Sequence, residues 1–323
     1  MRKILITGAL GQIGSELAVK MREIYGTDNV IISDIMPKAS HEALIESGPF
    51  EPINILDKDN MGKVIDKYKI NTVVNLAAIL SATGEKTPDL CYNVNMNGLY
   101  NILELAREKD LSVFTPSSIA VFGDSTPKDK TPQDTIMRPE TMYGVTKVAG
   151  ELLCDYYFKK FGVDTRGVRF PGIISYDTLP GGGTTDYAVH IYYEALKQGK
   201  YTSFIGPGTK MDMMYMPDAI KAILVLLEAD PSKLIHRNAF NITAMSFDPE
   251  EIASSIKKYI KDFTIDYDID KERQAIADSW PNSLDDTQAR EEWGWKPEYL
   301  LDDMTKDMLE KLRIKLKISI RET

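Results

Sequence analysis

Residues 3–17 read KILITGALGQIGSEL, an apolar run of strand length that passes through a glycine turn into a segment with apolar residues three and four apart. The glycines fall at 8, 11 and 14, a G-x-x-G-x-x-G spacing. In a strand-turn-helix unit, Gly8 permits the tight turn, Gly11 lets a pyrophosphate approach the backbone, and Gly14 lets the helix pack closely on the sheet. The free amides and positive dipole end of such a helix suit phosphates. A glycine turn alone is also an ordinary strand-to-helix connection, so the reading depends on the rest of the chain.

Beyond the turn the chain alternates. Short β-branched runs at 3–7, 30–33, 52–55, 72–76, 112–116 and 165–170 are separated by helical patterns at 12–25, 59–68, 90–109 and 143–161. This predicts an α/β fold, a Rossmann-type doubly wound parallel sheet with helices on both faces. After Phe170 the regularity breaks at PGIISYDTLPGGGTTD (171–186), a stretch so rich in Gly and Pro that it reads as a functional loop. Further helices are expected at 187–198, 217–229 and 249–259, with strands at 201–204, 240–242 and 264–267. Residues 1–170 are read as the Rossmann domain that binds a dinucleotide, and 171–323 mainly as a smaller C-terminal substrate-binding lobe with room for some pieces to return to the sheet.

The chain has 323 residues, 43% hydrophobic and 27% charged, a composition with ample core and against disorder. A net charge of −9 without any run of Lys and Arg argues against nucleic acid as a partner. No apolar stretch approaches the ~18 residues a bilayer span needs. Met1-Arg2-Lys3 leads straight into the strand-like ILIT, without a signal-type apolar region, so a cytoplasmic location away from membranes is expected. Cys91 and Cys154 are too few for a disulfide framework, and His41, His190 and His236 lack ligand spacing, so no metal is expected.

The second strand run ends in Ser33-Asp34, and Asp34 lies 20 residues beyond Gly14. An acid there accepts both hydroxyls of an adenosine ribose and repels a 2′-phosphate. NAD rather than NADP is therefore the expected cofactor, with Lys38 the opposing charge nearby in sequence. Asp57, after the third run, is placed either to bind the adenine amino group or to cap the helix ahead of Asp59. Leu76, Ala77 and Ala78 follow the fourth run, and their small side chains leave room for the cofactor at the strand ends where ligands bind in such sheets.

Taking a proton from an alcohol near neutral pH without a metal needs an activated base. A Tyr with a Lys four residues later on one helix face can supply it. Four such pairs occur, Tyr143/Lys147, Tyr156/Lys160, Tyr193/Lys197 and Tyr267/Lys271. Chance alone yields about one to two, so context must choose. Tyr143 opens the helix after the fifth run, the small residues Gly144, Thr146, Ala149 and Gly150 follow it, and Pro116-Ser117-Ser118 brings a hydroxyl to the same sheet edge. The other pairs have no such upstream serine.

GALGQIG at 8–14, SSIAVFG at 117–123 and YGVTK at 143–147 together resemble the extended short-chain dehydrogenase/reductase superfamily, which includes nucleotide-sugar epimerases, over roughly residues 1–175. On that resemblance the catalytic hydroxyl is Ser118, not Ser117. NLAAILSATGEK at 75–86, RPETMYGVTK at 138–147, RFPGIIS at 169–175, GGGTTDYAV at 181–189 and MMYMPDA at 213–219 are similar to the short-chain type of L-threonine 3-dehydrogenase, a match running to about Trp295. The resemblance implies NAD-dependent oxidation of L-threonine at its 3-hydroxyl to 2-amino-3-oxobutanoate. Tyr143 would act as phenolate base, Ser118 would orient the alcohol, and Lys147 would hold the ribose and, with the nicotinamide, lower the phenol from ~10 towards 7. Gln12, Ile13, Asn95 and Ile173 complete the cofactor set, and Ser81, Thr184 and Thr185 join Ser118 and Tyr143 in the substrate set. Asp186 either counters the substrate ammonium or caps the helix from Tyr187, Arg169 is read as a stabiliser of the fold, and Gly181-Gly182-Gly183 as a hinge. In the related family the helices at 90–109 and 143–161 pair across a two-fold axis, which implies a homodimer. The rival is an NAD-retaining nucleotide-sugar 4-epimerase, opposed by the Thr184-Thr185-Asp186 segment and the lack of an evident basic diphosphate site. A dehydratase would place acids after the hydroxyl, where Ile119 and Ala120 stand, and a non-catalytic NAD sensor would have lost Tyr143 or Lys147.

Overall fold

The computed structural model describes residues 2–37, 39–177 and 183–318. Its first strands are β1 (Ile4–Thr7), β2 (Val30–Asp34), β3 (Phe50–Pro52), β4 (Thr72–Asn75), β5 (Ser112–Phe114), β6 (Ser117–Ser118) and β7 (Thr165–Arg166). All but β6 join one parallel sheet in the order β3-β2-β1-β4-β5-β7. Ile4 pairs in register with Val30 on one side and Thr72 on the other. The strand order reverses between β1 and β4, and in a doubly wound sheet the crevice beyond the carboxyl ends at that point receives the ligand.

Alternation along β1 builds the two core layers. Ile4 and Ile6 pack with Leu17 and Met21 of the helix Gln12–Tyr25 and with Ala222 and Ile223 of the helix Met216–Glu228. Leu5 points the other way, into a layer with Val64 of the helix Lys58–Tyr68 and Leu103 of the helix Gly98–Lys109. The helix Met216–Glu228 comes from the far half of the chain, so part of the C-terminal region completes the Rossmann core. A third core, with the fully buried Tyr187, Tyr192, Tyr215 and Phe247, lies in the C-terminal lobe and takes in Ile119–Val121 and Phe122, directly after β6.

Several expected boundaries shift for physical reasons. The third strand lies at 50–52, not 52–55, because Asn54 turns the chain: its side chain accepts from the Leu56 amide and its carbonyl from the Asp57 amide. The run at 165–170 breaks at Gly167, whose Cβ, if present, would sit 2.4 Å from the Thr115 carbonyl. Beyond the break Val168–Phe170 lies between β6 and Phe240–Asn241 in a second parallel sheet. The helix expected at 90–109 is Pro88–Tyr92, one π turn at Asn93–Asn97, then Gly98–Lys109. The strands Gly172–Ile174, Met211–Tyr215 and Met245–Phe247 form a third sheet, and the helices Ser81–Lys86, Lys271–Ser279, Thr287–Trp293 and Leu301–Leu316 add to those expected. Among the described residues no helix is long and apolar enough to cross a membrane.

Candidate active site

A cleft of about 300 Å³ opens at the carboxyl ends of β1 and β4. Gly8, Gly11, Gln12, Ile13 and Gly14 line it from the first turn, Leu76, Ala78 and Ser81 from the segment after β4, and Ser118, Tyr143, Lys147, Ile173, Thr184 and Thr185 from the opposite side. Ala77 and Asn95 line a deeper chamber that shares the Lys147 wall. The other three Tyr/Lys pairs stand outside the cleft.

The glycine turn has the shape a dinucleotide requires. Gly8 has φ +68°, and a Cβ on it would lie 2.6 Å from the Ala77 amide; one on Gly14 would lie 2.6 Å from the Gly8 carbonyl. Gly11 caps the helix Gln12–Tyr25 without any side-chain hydrogen bond, and the side-chain Nε2 of Gln12 is buried on the cleft wall without a partner. A bare helix N-terminus with an unsatisfied donor suits a pyrophosphate. Asp34 ends β2, its carboxylate accepting from the amides of Leu10 (3.1 Å) and Ile35 (2.8 Å). Asp57 is the N-cap of the helix Lys58–Tyr68, accepting from the Asn60 amide at 3.0 Å, and is off the cleft wall. Its capping geometry favours the structural alternative over an adenine contact. Asn95 sits in the π turn, accepts from the Ile79 amide at 2.8 Å and donates to the Ile79 carbonyl and Thr146 Oγ1, each at 3.1 Å. It therefore pins the loop after β4 to the Tyr143 helix, and π turns are frequent where such positioning matters.

That helix, Met142–Phe161, is capped by Thr141, whose hydroxyl accepts from the Gly144 amide at 3.1 Å. A Cβ on Gly144 would lie 2.2 Å from the Ala120 carbonyl, so the glycine allows the helix start to seat on the turn Ile119–Val121. Ser118 caps that turn, its Oγ accepting from the Ala120 amide at 3.2 Å. Lys147 Nζ donates to the Pro116 carbonyl at 2.8 Å and lies 5.4 Å from the Tyr143 ring centroid. Burial pushes the Tyr143 phenol up to about 12 against an opposing hydrogen bond with Ser118, and burial lowers Lys147 to about 8 while Glu151 acts the other way. Burial thus opposes the depressed phenol expected from the sequence, which relies on the charges of Lys147 and the nicotinamide to offset it.

On the substrate side Thr184 and Thr185 lie in the turn Thr184–Asp186. A Cβ on Gly172 would meet Thr185 Cγ2 at 2.7 Å, so this glycine lets the threonine pack onto the strand Gly172–Ile174. Asp186 accepts from the Gly183 amide at 2.5 Å and so caps its own turn. Lys38, Gly181 and Gly182 lie outside the described residues. Sequence reasoning missed Trp280, which closes the cleft from the end of the helix Lys271–Ser279. Nothing local marks it, since only the folded C-terminal lobe carries it there. Among the described residues no group of three or more His, Cys, Asp or Glu is gathered to hold a metal.

Comparison with known proteins narrows the reading. Residues 4–243 match the model of the NAD dependent epimerase/dehydratase family. An uncharacterized epimerase/dehydratase of Staphylococcus aureus (strain USA300) is 58% identical, with 98% of each chain covered. The solved L-threonine dehydrogenase from Clostridium difficile is 64% identical with a TM-score of 0.96, covering 98% of both chains. That from Phytophthora infestans is 51% identical with a TM-score of 0.93, covering 98% of this chain and 100% of the other. A dinucleotide cradle facing a Ser, Tyr and Lys at one sheet edge, over this much matched chain, leads to one conclusion: the chain belongs to the NAD-dependent epimerase/dehydratase family, the extended short-chain dehydrogenases/reductases, among enzymes whose solved structures resemble it as L-threonine dehydrogenases.

Proposed function

We propose that this enzyme oxidises L-threonine at its 3-hydroxyl to 2-amino-3-oxobutanoate, using NAD. The observation that carries the reading is the convergence of Tyr143, Lys147 and Ser118 with the hydroxyls of Ser81, Thr184 and Thr185 on one cleft whose other end is the glycine cradle. The likeness to solved threonine dehydrogenases supports the choice of substrate. Gly8, Gly11, Gln12, Gly14 and Asp34 would hold NAD, which when bound supplies the hydride acceptor. Ser118 holds the alcohol oxygen by hydrogen bonding while Tyr143, as phenolate, takes its proton. Lys147, steadied by the Pro116 carbonyl, places its ammonium beside the tyrosine and so favours the deprotonated ring. Ser81, Thr184 and Thr185 supply polar contacts to an amino acid's charged groups. The product is a β-keto acid that can lose carbon dioxide to give aminoacetone.

The working unit is a homodimer. Leu90, Tyr92, Tyr100, Val145, Leu152 and Tyr156 are exposed on the helices around 88–109 and 142–161, an apolar surface that a second copy would cover.

The test follows NADH absorbance with L-threonine, L-serine, L-allo-threonine and a uridine-diphosphate sugar. Threonine should drive NADH formation, and serine, lacking the methyl, should be disfavoured by about 1–3 kcal/mol. Sugar-nucleotide interconversion without threonine-dependent NADH would hand the site to the epimerase reading.

A further inference from the structure

Four residues beyond Lys147, one turn along the same helix, Glu151 is 8% exposed and faces the same deep chamber. Its Oε1 accepts from Ser117 Oγ and from Arg169 Nε at 3.0 Å, and its Oε2 accepts from a terminal Arg169 nitrogen at 2.8 Å. Arg169 is itself buried and spends its other donors on the Gln133 carbonyl, Asn241 Oδ1 and Met137 Sδ. One carboxylate therefore ties three things together. Ser117 is the neighbour of Ser118 on β6, Arg169 belongs to the strand Val168–Phe170 that pairs with β6, and Glu151 shares a helix with Tyr143 and Lys147. Pro116, whose carbonyl holds Lys147 Nζ, is the next residue back.

We propose that Glu151 is the positioning residue of this site: its buried carboxylate, clamped by Arg169 and Ser117, locks the β6 edge against the Tyr143 helix and stands as the negative charge one helical turn from the Lys147 ammonium. A buried carboxylate held by two groups is expensive to break, since loss of one partner strands a charge away from water. That cost fixes the spacing of Ser118, Tyr143 and Lys147 more firmly than apolar packing would. The field has the right sign as well. Burial works against the ammonium, and Glu151 is the carboxylate that counters it, while Cys154 and Cys91, whose thiols burial holds protonated, stand nearby. Arg169, ion-paired to that carboxylate, carries the opposite charge, and Tyr143 is a further titratable group beside the amine. The role of Lys147 in turnover rests on the proposed dehydrogenase reading; its charge does not.

The experiment measures that charge directly. Competitive acetylation of the unliganded protein with acetic anhydride across pH, read by peptide mass spectrometry, gives the midpoint at which Lys147 becomes a free amine, and it requires neither NAD nor a substrate. In the unaltered protein the midpoint should lie near 8. Glu151→Gln should move it down by at least about half a pH unit, and Arg169→Gln should move it up, because removing opposite charges beside one ammonium has opposite effects. Ser117→Ala loses a tether and no charge, so its midpoint should stay in place while turnover falls. Loosened packing cannot produce a shift that reverses sign with the charge removed. If both charge variants fold and leave the midpoint unmoved, or move it the same way, the proposal fails; if one does not fold, the other decides. A failure of threonine oxidation with the midpoint shifts intact would count against the dehydrogenase reading alone.

Discussion

Tyr143 and Lys147 pull against their surroundings in opposite ways, and the conflict is chemically useful. A phenol raised to about 12 holds its proton until substrate and neighbours favour its loss, and a lysine lowered to about 8 still carries charge near neutrality. On the proposed mechanism turnover needs the deprotonated tyrosine, so activity in the oxidative direction should climb as pH rises. Tyr143→Phe should cost about 10²–10⁴-fold in kcat while NAD binding persists, because the ring stays and only the proton acceptor goes. Near-normal turnover in that variant would move the base elsewhere. On the proposed reading Asp34 selects the cofactor by the same local logic. Its carboxylate is fixed by two backbone amides at the strand end, where a 2′-phosphate would meet it, so kcat/KM should favour NAD over NADP by at least ~10-fold, about 1.4 kcal/mol. Equal use of both would refute this, and Asp34→Ser should narrow the gap.

Local patterns carried the strands and helices that bear the chemistry, and failures came where distant contacts decide. The glycine turn, the Tyr143 helix and the strand ends were readable because periodicity and spacing lie within a few residues. Gly167 breaks its strand against a carbonyl just past β5 that no local pattern announces. The strand Met211–Tyr215, not expected from the sequence, carries Asp212, a buried acid that the hydroxyl of Thr243 and the amide of Leu284 satisfy from distant parts of the chain. The π turn at Asn93–Asn97 likewise comes from the partners of Asn95 across the fold, not from composition. The interface on the two helices came from the family resemblance and not from a local pattern, and the proposed dimer would cover their exposed apolar residues. Leu152 is 60% and Tyr156 52% exposed, far more apolar surface than a lone helix face needs to show. Light scattering at micromolar protein should give twice the chain mass, and Leu152→Glu should halve it; a monomeric mass for the unaltered protein would refute the dimer.

Stability as a function of pH is set by acids distributed through the fold. Paired carboxylates such as Asp164, held low by Arg166 and Arg237, contribute stability that is lost only as pH falls below the ordinary carboxylate range. Two others act in the reverse sense. Burial pushes Glu16, hydrogen-bonded to Ser175, up to about 7, and pushes the enclosed Asp212 up to about 8. A raised acid binds more protons folded than unfolded, so between its ordinary value and its raised one stability falls as pH rises. For Glu16 that interval, from 4.5 to about 7, corresponds to about 3 kcal/mol. The thermal midpoint should therefore peak in mildly acidic buffer and decline towards pH 8. Glu16 lies on the cofactor helix, and Ser175 comes directly after the strand carrying Ile173, so the loss loosens the join between the cradle and the substrate side. Glu16→Gln keeps a group able to bond Ser175 and removes the buried charge. Its thermal midpoint, followed by circular dichroism, should match the unaltered protein near pH 5 and exceed it at pH 8, and an identical decline in both proteins would show that Glu16 is not the group responsible.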